Sequence, residues 1–159
     1  FTKVLKGHIA VATTNINKDD IGKKIDKRAR KFLNESNLDY AHGTGHGVGF
    51  FLNVHEGPQS ITKINTVKIR EGMILSNEPG YYKTNEYGIR IENLVYVKKV
   101  NKKLLFQNLT MAPIEKDLIN FDLLTVNEKN YLFKYHLEVY SNISKYLSPN
   151  EKKWLASFI

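Results

Sequence analysis

The sequence predicts an α+β fold, and three observations indicate it. Near both ends of the chain, apolar side chains recur every three or four residues, which is typical of amphipathic helices. Residues 40–110 instead contain short apolar runs bounded by glycine and other turn residues, which favour strands. These patterns occupy separate stretches, so we expect a sheet with helices before and after it.

Two helices are predicted in the first third of the chain. Residues 1–14 place their apolar side chains at helical spacing, and residues 21–33 form a second amphipathic helix. The segment "NKDD" between them supplies turn and N-cap chemistry. The second helix carries a dense basic run, which we interpret as its solvent-exposed face: Lys23, Lys24, Lys27, Arg28, Arg30 and Lys31.

The central region predicts strands at "GMILSNEPG" (72–80) and "GIRIENLVYVKKV" (88–100), because turn residues bound each apolar run. The following "KKLLFQNL" is predicted to return as the hairpin partner of the second strand. On that strand, Arg90 and Glu92 should share one face, since side chains alternate between faces. The opposite face should carry the apolar side chains, namely Ile89, Ile91, Val95 and Val97.

The tail predicts two more helices. Thr125 with Glu128 fits a capping box, and Ser148-Pro149 with Glu151 fits a second helix start. Aromatic residues are numerous here, more than one helix pair can bury, so part of this surface should contact another subunit. An ordinary core-facing helix hairpin is the alternative. The apolar stripe of the first tail helix comprises Leu132, Tyr135, Val139, Ile143 and Tyr146.

Composition excludes several classes of protein. The 159 residues include 24 Lys and Arg against 16 Asp and Glu, a net charge of +8, but the lysines are scattered. A nucleic-acid binder is therefore a remote alternative, and we expect no nucleic-acid partner. The lack of cysteine fits a reducing compartment. No run of about 18 apolar residues is present, so we expect no membrane span.

The stretch "HGTGHGVGFFLNVHEG" (42–57) concentrates histidine and glycine, and three interpretations compete. A glycine-rich loop can hold phosphate, but no Lys-Ser/Thr pair follows these glycines. Histidines can also simply satisfy hydrogen bonds in a core. A metal site is the third interpretation, because imidazole is a common metal ligand. Glycines on both sides of His46 would let other segments approach a crowded centre.

Two carboxylates in unusual places favour the metal interpretation. Glu78 ends an apolar strand, and Pro79 biases it toward extended backbone. Glu92 lies within the next predicted strand, where a weak exposed ion pair with Arg90 is the alternative. One histidine and two glutamates suit Mn²⁺, with Zn²⁺ or Co²⁺ as alternatives, and carboxylates can bridge two metal ions.

Three ordered motifs carry a family resemblance. "HGTGHGVG...NVHEGP", "EGMILSNEPGYY" and "GIRIEN" together resemble the creatinase/aminopeptidase superfamily with the pita-bread fold. More narrowly, they resemble the Xaa-Pro aminopeptidases (aminopeptidase P) of the three-domain type, and the first helix and the tail match that family too. The resemblance implies a cytoplasmic, homodimeric metallopeptidase with two divalent metal ions, usually Mn²⁺. Its substrates would be peptides with proline at the second position.

The resemblance also assigns roles to individual residues. His46, Glu78 and Glu92 match metal ligands, and Glu78 also matches the proton shuttle. A metal-bound hydroxide would attack the carbonyl before proline, while His55 steadies the tetrahedral intermediate. The remaining matches are His42, which would line the site near the substrate proline, and Arg90 and Tyr82, which would orient the ligands and the bound water. No role is assigned to His8 or His136, which we expect on a helix surface or in the core.

The chain departs from the family pattern in one respect. Two aspartate ligands should precede the first helix, and the aspartates at 19, 20, 26 and 39 fall in the wrong places. We therefore expect a partial pita-bread fold over residues 1–110 and a helical extension over 111–159, a candidate dimerisation region. This segment alone should bind metal weakly and be inactive. A non-catalytic binding module, or another reaction on the same fold such as a prolidase, methionine aminopeptidase or creatinase, remains an alternative.

Overall fold

The computed structural model describes residues 1–51 and 53–159. They form two compact units, residues 3–109 and residues 1–2 with 110–159. The elements in chain order are α1 (Thr2–Ala12), α2 (Gly22–Asn34), β1 (Gly45–His46), β2 (Ser60–Ile61), β3 (Ile74–Asn77), β4 (Gly80–Lys83), β5 (Tyr87–Arg90), β6 (Asn93–Val100), β7 (Lys103–Asn108), α3 (Val126–Ile143) and α4 (Pro149–Ala156).

The described residues of the larger unit form three small antiparallel sheets, ordered β1-β2, β3-β6-β7 and β4-β5. Helices and the three-stranded sheet share one apolar core, which removes these side chains from water and so stabilises the unit. The predicted hairpin of β6 and β7 is confirmed, with a two-residue loop, Asn101-Lys102, whose positive φ angles are those of a type I′ turn. The core comprises Val11, Ile16, Ile25, Ala29, Ile61, Ile69, Leu75, Val95 and Val97.

The prediction of one continuous strand over 88–100 is wrong. β5 ends at Arg90 and pairs with β4, whereas β6 begins at Asn93 and pairs with β3. The gap between β5 and β6, which we call the sheet break, lies opposite Glu78-Pro79. The run 72–80 is therefore also divided between two sheets. The physical reason is that Pro79 has no N–H to continue the ladder. Glu92 therefore lies in a sheet break and not on a strand face.

Both predicted N-terminal helices are present, but the prediction is wrong about the cap of α2 and about the exposure of Arg30. The N-cap of α2 is Ile21, which makes no side-chain capping bond, so "NKDD" does not cap the helix. Arg30 is only 3% exposed, although the basic run of α2 was expected to face solvent. Its guanidinium is buried because it pairs with Asp26, also on α2, at 2.8 Å, and with Asp39 at 2.6 Å.

The smaller unit contains α3 and α4, and both predicted capping boxes are present. Leu132, Tyr135 and Val139 are buried as the stripe predicted. Tyr146 is not, because it lies in a short 3₁₀ helix beyond α3 and is 75% exposed. His136 is buried, and its Nε2 atom accepts a hydrogen bond from the Ile114 N–H at 3.1 Å.

No helix within the described residues is both long and apolar enough to cross a membrane.

His8 of α1 is fully buried, and this burial makes the stability of the fold depend on pH. Burial lowers the pKa of His8 from 6.5 to about 4, since the charged imidazole cannot be hydrated there. An unfolded chain takes up a proton below pH 6.5, but the folded chain does not until about pH 4. Stability should therefore fall as pH falls through this window, by up to about 1.4 kcal/mol per pH unit.

This prediction is tested by urea unfolding of the metal-free protein that contains this chain, at pH 7 and at pH 5. His8→Asn has no imidazole at position 8, so the stability difference between it and the wild type should shrink at the lower pH. A difference that is the same at both pH values would contradict the prediction.

Candidate metal centre

His46 lies on the short strand β1, beside β3. Its backbone N–H donates to the Ser76 hydroxyl at 2.9 Å, and its ring Nδ1 is 2.9 Å from the Gly47 carbonyl oxygen. A carbonyl only accepts hydrogen bonds, so Nδ1 carries a proton, and in the neutral imidazole the free lone pair is on Nε2. This is the tautomer in which a histidine binds a metal through Nε2, with its other nitrogen fixed by a carbonyl.

Glu78 follows β3 directly, at the sheet break. Its Oε1 atom accepts a hydrogen bond from the Ser76 hydroxyl at 2.8 Å and lies 3.5 Å from His46 Nε2. Its Oε2 atom lies 3.6 Å from Arg90 Nη1. The residue is 8% exposed, and a carboxylate buried to this degree needs partners such as these.

One ligand atom from each of His46, Glu78 and Glu92 can be chosen so that all three lie within 4.8 Å of one another. In the neutral imidazole with Nδ1 protonated, His46 Nε2 and the Glu78 oxygen 3.5 Å away both present lone pairs, and a cation between them would be attracted to both. The donor set of one imidazole and two carboxylates fits divalent ions such as Mn²⁺ or Zn²⁺. We conclude that the residues present fit a metal ion.

A hydrogen-bonded chain borders this cluster. Arg90 Nε donates to the Tyr82 hydroxyl at 2.7 Å, and that oxygen is 2.9 Å from His42 Nε2. His42 Nδ1 is 2.7 Å from the Gly43 carbonyl oxygen, so Nδ1 carries the proton and Nε2 accepts from Tyr82. The hydrogen bond with Tyr82 raises the pKa of the Arg90 guanidinium, which therefore stays charged beside Glu78.

His55 is exposed, and its ring centroid lies 4.0 Å from that of His46. Both rings line a cavity of about 280 Å³, together with His42, Glu78 and Arg90. A larger cavity of about 640 Å³ lies along α2, but its lining is mostly the exposed charged side chains of that helix. The smaller cavity is the candidate site because three imidazoles and the Glu78 carboxylate line it.

Sequence reasoning missed Ser76, which contacts both His46 and Glu78. The signal was available, because residues 76 and 78 are two apart on an extended segment and so point to the same side. It also missed the buried pair of Asp26 and Arg30 beneath the His42 segment. Arg30 Nη2 donates to the His42 carbonyl oxygen at 2.6 Å, and Asp26 Oδ1 accepts from the Thr44 hydroxyl at 2.7 Å.

Gly45 allows β1 to approach β3 closely, as expected for the glycines beside His46. A Cβ atom at position 45 would overlap the Ser76 carbonyl oxygen, which belongs to the backbone and cannot turn away. Gly45→Ala should therefore push His46 away from Glu78, weaken metal binding by about ten-fold or more and lower the Tm. Isothermal titration with Mn²⁺ and a thermal melt measure both effects.

Gly57→Ala is the matched control, because a Cβ atom there would meet nothing within 4 Å. If the two variants bind Mn²⁺ equally well, close approach at Gly45 is not what positions His46.

The α+β fold and the cluster of imidazole and carboxylate donors fit one class of protein, those that bind a metal ion. Comparison with known proteins makes this specific. A family model described as metallopeptidase family M24 matches residues 1–99, and one described as the C-terminal region of peptidase M24 matches residues 102–157. The chain belongs to metallopeptidase family M24.

Individual relatives agree with this. A probable Xaa-Pro aminopeptidase P from Coprinopsis cinerea is 46% identical over 98% of this chain, which spans 27% of that protein. The crystal structure of X-prolyl aminopeptidase from Caenorhabditis elegans, described as a cytosolic enzyme with a di-nuclear active site, matches with a TM-score of 0.88. It is 38% identical over 98% of this chain and 27% of its own.

Prolidase from Pyrococcus furiosus matches 68% of this chain and 30% of its own, with a TM-score of 0.59 and 28% identity. These neighbours have the pita-bread fold, which confirms the predicted fold class. This chain spans about a quarter of the length of the aminopeptidases that it matches.

Proposed function

We propose that the protein containing this chain is a metal-dependent aminopeptidase that releases an N-terminal residue preceding proline. The observation that carries the proposal is the convergence of His46, Glu78 and Glu92. His42 and His55 line the same cavity as His46 and Glu78. The similarity to X-prolyl aminopeptidases over 98% of the chain supports the substrate class.

In this proposal His46, Glu78 and Glu92 are ligands of two divalent metal ions, with Mn²⁺ preferred, and aspartates outside this chain supply the remaining ligands. When bound, the ions would act as Lewis acids and provide a metal-bound hydroxide for attack on the carbonyl carbon before proline. A di-nuclear active site in the Caenorhabditis elegans enzyme supports two ions.

The side chains of this chain would do the rest of the chemistry. Glu78 would accept a proton and pass it to the proline nitrogen as the C–N bond breaks, while Ser76 and Arg90 hold its two oxygens. His55 would stabilise the negative charge that develops on the carbonyl oxygen. Arg90, through Tyr82, would hold His42 at the wall of the site near the substrate proline. In the peptide, the nitrogen of the substrate proline carries no hydrogen. The fit of the proline ring must therefore supply the specificity.

We further propose that the protein is a cytosolic homodimer, with residues 111–159 as a helical extension that contributes to the dimer contact. The cytosolic relative supports the location. The exposed aromatic side chains Phe133, Tyr146 and Trp154 of that extension support the contact, and sedimentation of the whole protein measures the stoichiometry.

The test of the activity uses the whole protein, stripped of metal. Arg-Pro-Pro should release arginine only after Mn²⁺ is added, whereas Arg-Ala-Ala should not be cleaved at a comparable rate. The dipeptide Arg-Pro distinguishes the prolidase alternative, because a prolidase would prefer it to the tripeptide. Mn²⁺ binding without cleavage of any of these peptides would contradict the proposed activity.

A further inference from the structure

We propose that His8 is a positioning residue for the metal centre, because it fixes the backbone beside both Glu78 and Glu92. The inference rests on the metal centre proposed above and adds to it a residue of α1 that contacts none of the donor groups.

Two hydrogen bonds connect His8 to the sheet break. The His8 ring Nδ1 is 3.2 Å from the carbonyl oxygen of Ile91, the residue before Glu92. The His8 backbone carbonyl accepts from the side-chain amide of Asn77, the residue before Glu78, at 3.0 Å. His8 and Asn77 are both completely buried. One residue of α1 thus holds the chain immediately before each of the two carboxylates.

The first contact lies where the ladder between the two runs is interrupted. Ile91 and Glu92 lie between β5 and β6, outside both strand ladders. The Ile91 N–H donates to the Pro79 carbonyl at 3.3 Å, and the Ile91 carbonyl accepts from His8. The imidazole therefore supplies the donor that Pro79, opposite Ile91, lacks because it has no N–H. Since Glu92 itself is exposed, packing around its side chain does little to aim it, and its direction depends on this backbone.

The histidine is an unexpected choice for this position on packing grounds. Its neighbours on α1 include the buried apolar residues Leu5, Ile9 and Val11. With Nδ1 protonated, Nε2 is an acceptor that has no hydrogen-bond partner among the described residues, and burying such a group is unfavourable. A leucine would avoid that cost, so the contact with Ile91 is what the imidazole contributes.

The test is a Co²⁺ titration of the whole, metal-stripped protein, followed by the visible absorption of bound Co²⁺ and by isothermal titration. His8→Leu removes the donor, whereas His8→Asn keeps an N–H close to the position of Nδ1. We expect His8→Leu to bind Co²⁺ about 10- to 100-fold more weakly, with a changed spectrum. His8→Asn should restore both to near wild type.

His136→Leu is the matched control, because it replaces a buried histidine of the smaller unit. It should lower the Tm but leave the Co²⁺ affinity and spectrum unchanged. Asn77→Ala removes the second contact and should also weaken Co²⁺ binding, so the test remains decisive if His8→Leu does not fold.

Wild-type affinity and spectrum in His8→Leu or Asn77→Ala would overturn the inference, as would equal losses in His8→Leu and His8→Asn. If the wild-type protein itself binds no Co²⁺, the proposed metal centre fails and this inference fails with it.

Discussion

Glu78→Gln should lower kcat for Arg-Pro-Pro hydrolysis by about 10²- to 10⁴-fold, the range typical of removing a general acid–base group. The amide keeps the size of the side chain but can neither take up the proton nor balance the charge of a metal ion. Steady-state kinetics of the whole protein at saturating Mn²⁺ measure the loss, and elemental analysis shows how many ions remain bound.

Glu71→Gln makes the same chemical change at an exposed residue of the turn before β3, and it should leave kcat unchanged. If Glu78→Gln retained two bound ions and a wild-type kcat, Glu78 could not be the proton shuttle. A loss of bound metal together with kcat would instead identify Glu78 mainly as a ligand.

Arg30→Met should lower the free energy of unfolding by about 3–5 kcal/mol, the usual result of removing one partner from a buried ion pair. The variant would leave the carboxylate of Asp26 buried with no opposite charge beside it. It would also remove the donors to the carbonyls of Tyr40 and His42. Burial alone would lower the pKa of Arg30, but the hydrogen bonds with Asp26 and Asp39 raise it, so the guanidinium stays charged.

Arg28→Met is the control on the same helix, because Arg28 pairs with Asp19 at 3.3 Å on the exposed face. An exposed pair of this kind contributes about 0–1 kcal/mol. Urea unfolding of both variants of the whole protein measures the difference. If Arg28→Met and Arg30→Met lowered the free energy of unfolding equally, the buried pair would contribute no more to stability than the exposed pair.

The features that the sequence predicts well are those with local causes. The capping boxes at Thr125 and Ser148 need only residues three positions apart, and both are present. The candidate donors His46, Glu78 and Glu92 can be selected from the sequence because histidine and glutamate are common metal ligands. Their convergence has a signal too, since a glutamate before proline at a strand end needs a partner.

The features that the sequence predicts poorly depend on distant residues. Within α2, Asp26 four residues earlier marks Arg30 as a member of an ion pair, but the burial of that pair follows from where Asp39 and the His42 segment fold. The pattern of residues 88–100 fits one long strand. That strand is divided because Pro79, in the paired run 72–80, interrupts the ladder between the two runs.

The sheet break has a consequence for folding thermodynamics. His46, Glu78 and Glu92 are far apart in the chain, so in the unfolded state they do not form a shared site. An ion held by all three would act as a reversible cross-link that closes two chain loops at one point. Ion concentration would then be coupled to the folding equilibrium, with a free energy of about 2.7 kcal/mol at a hundred times the dissociation constant. In this view, chelators and heat would act on the same equilibrium.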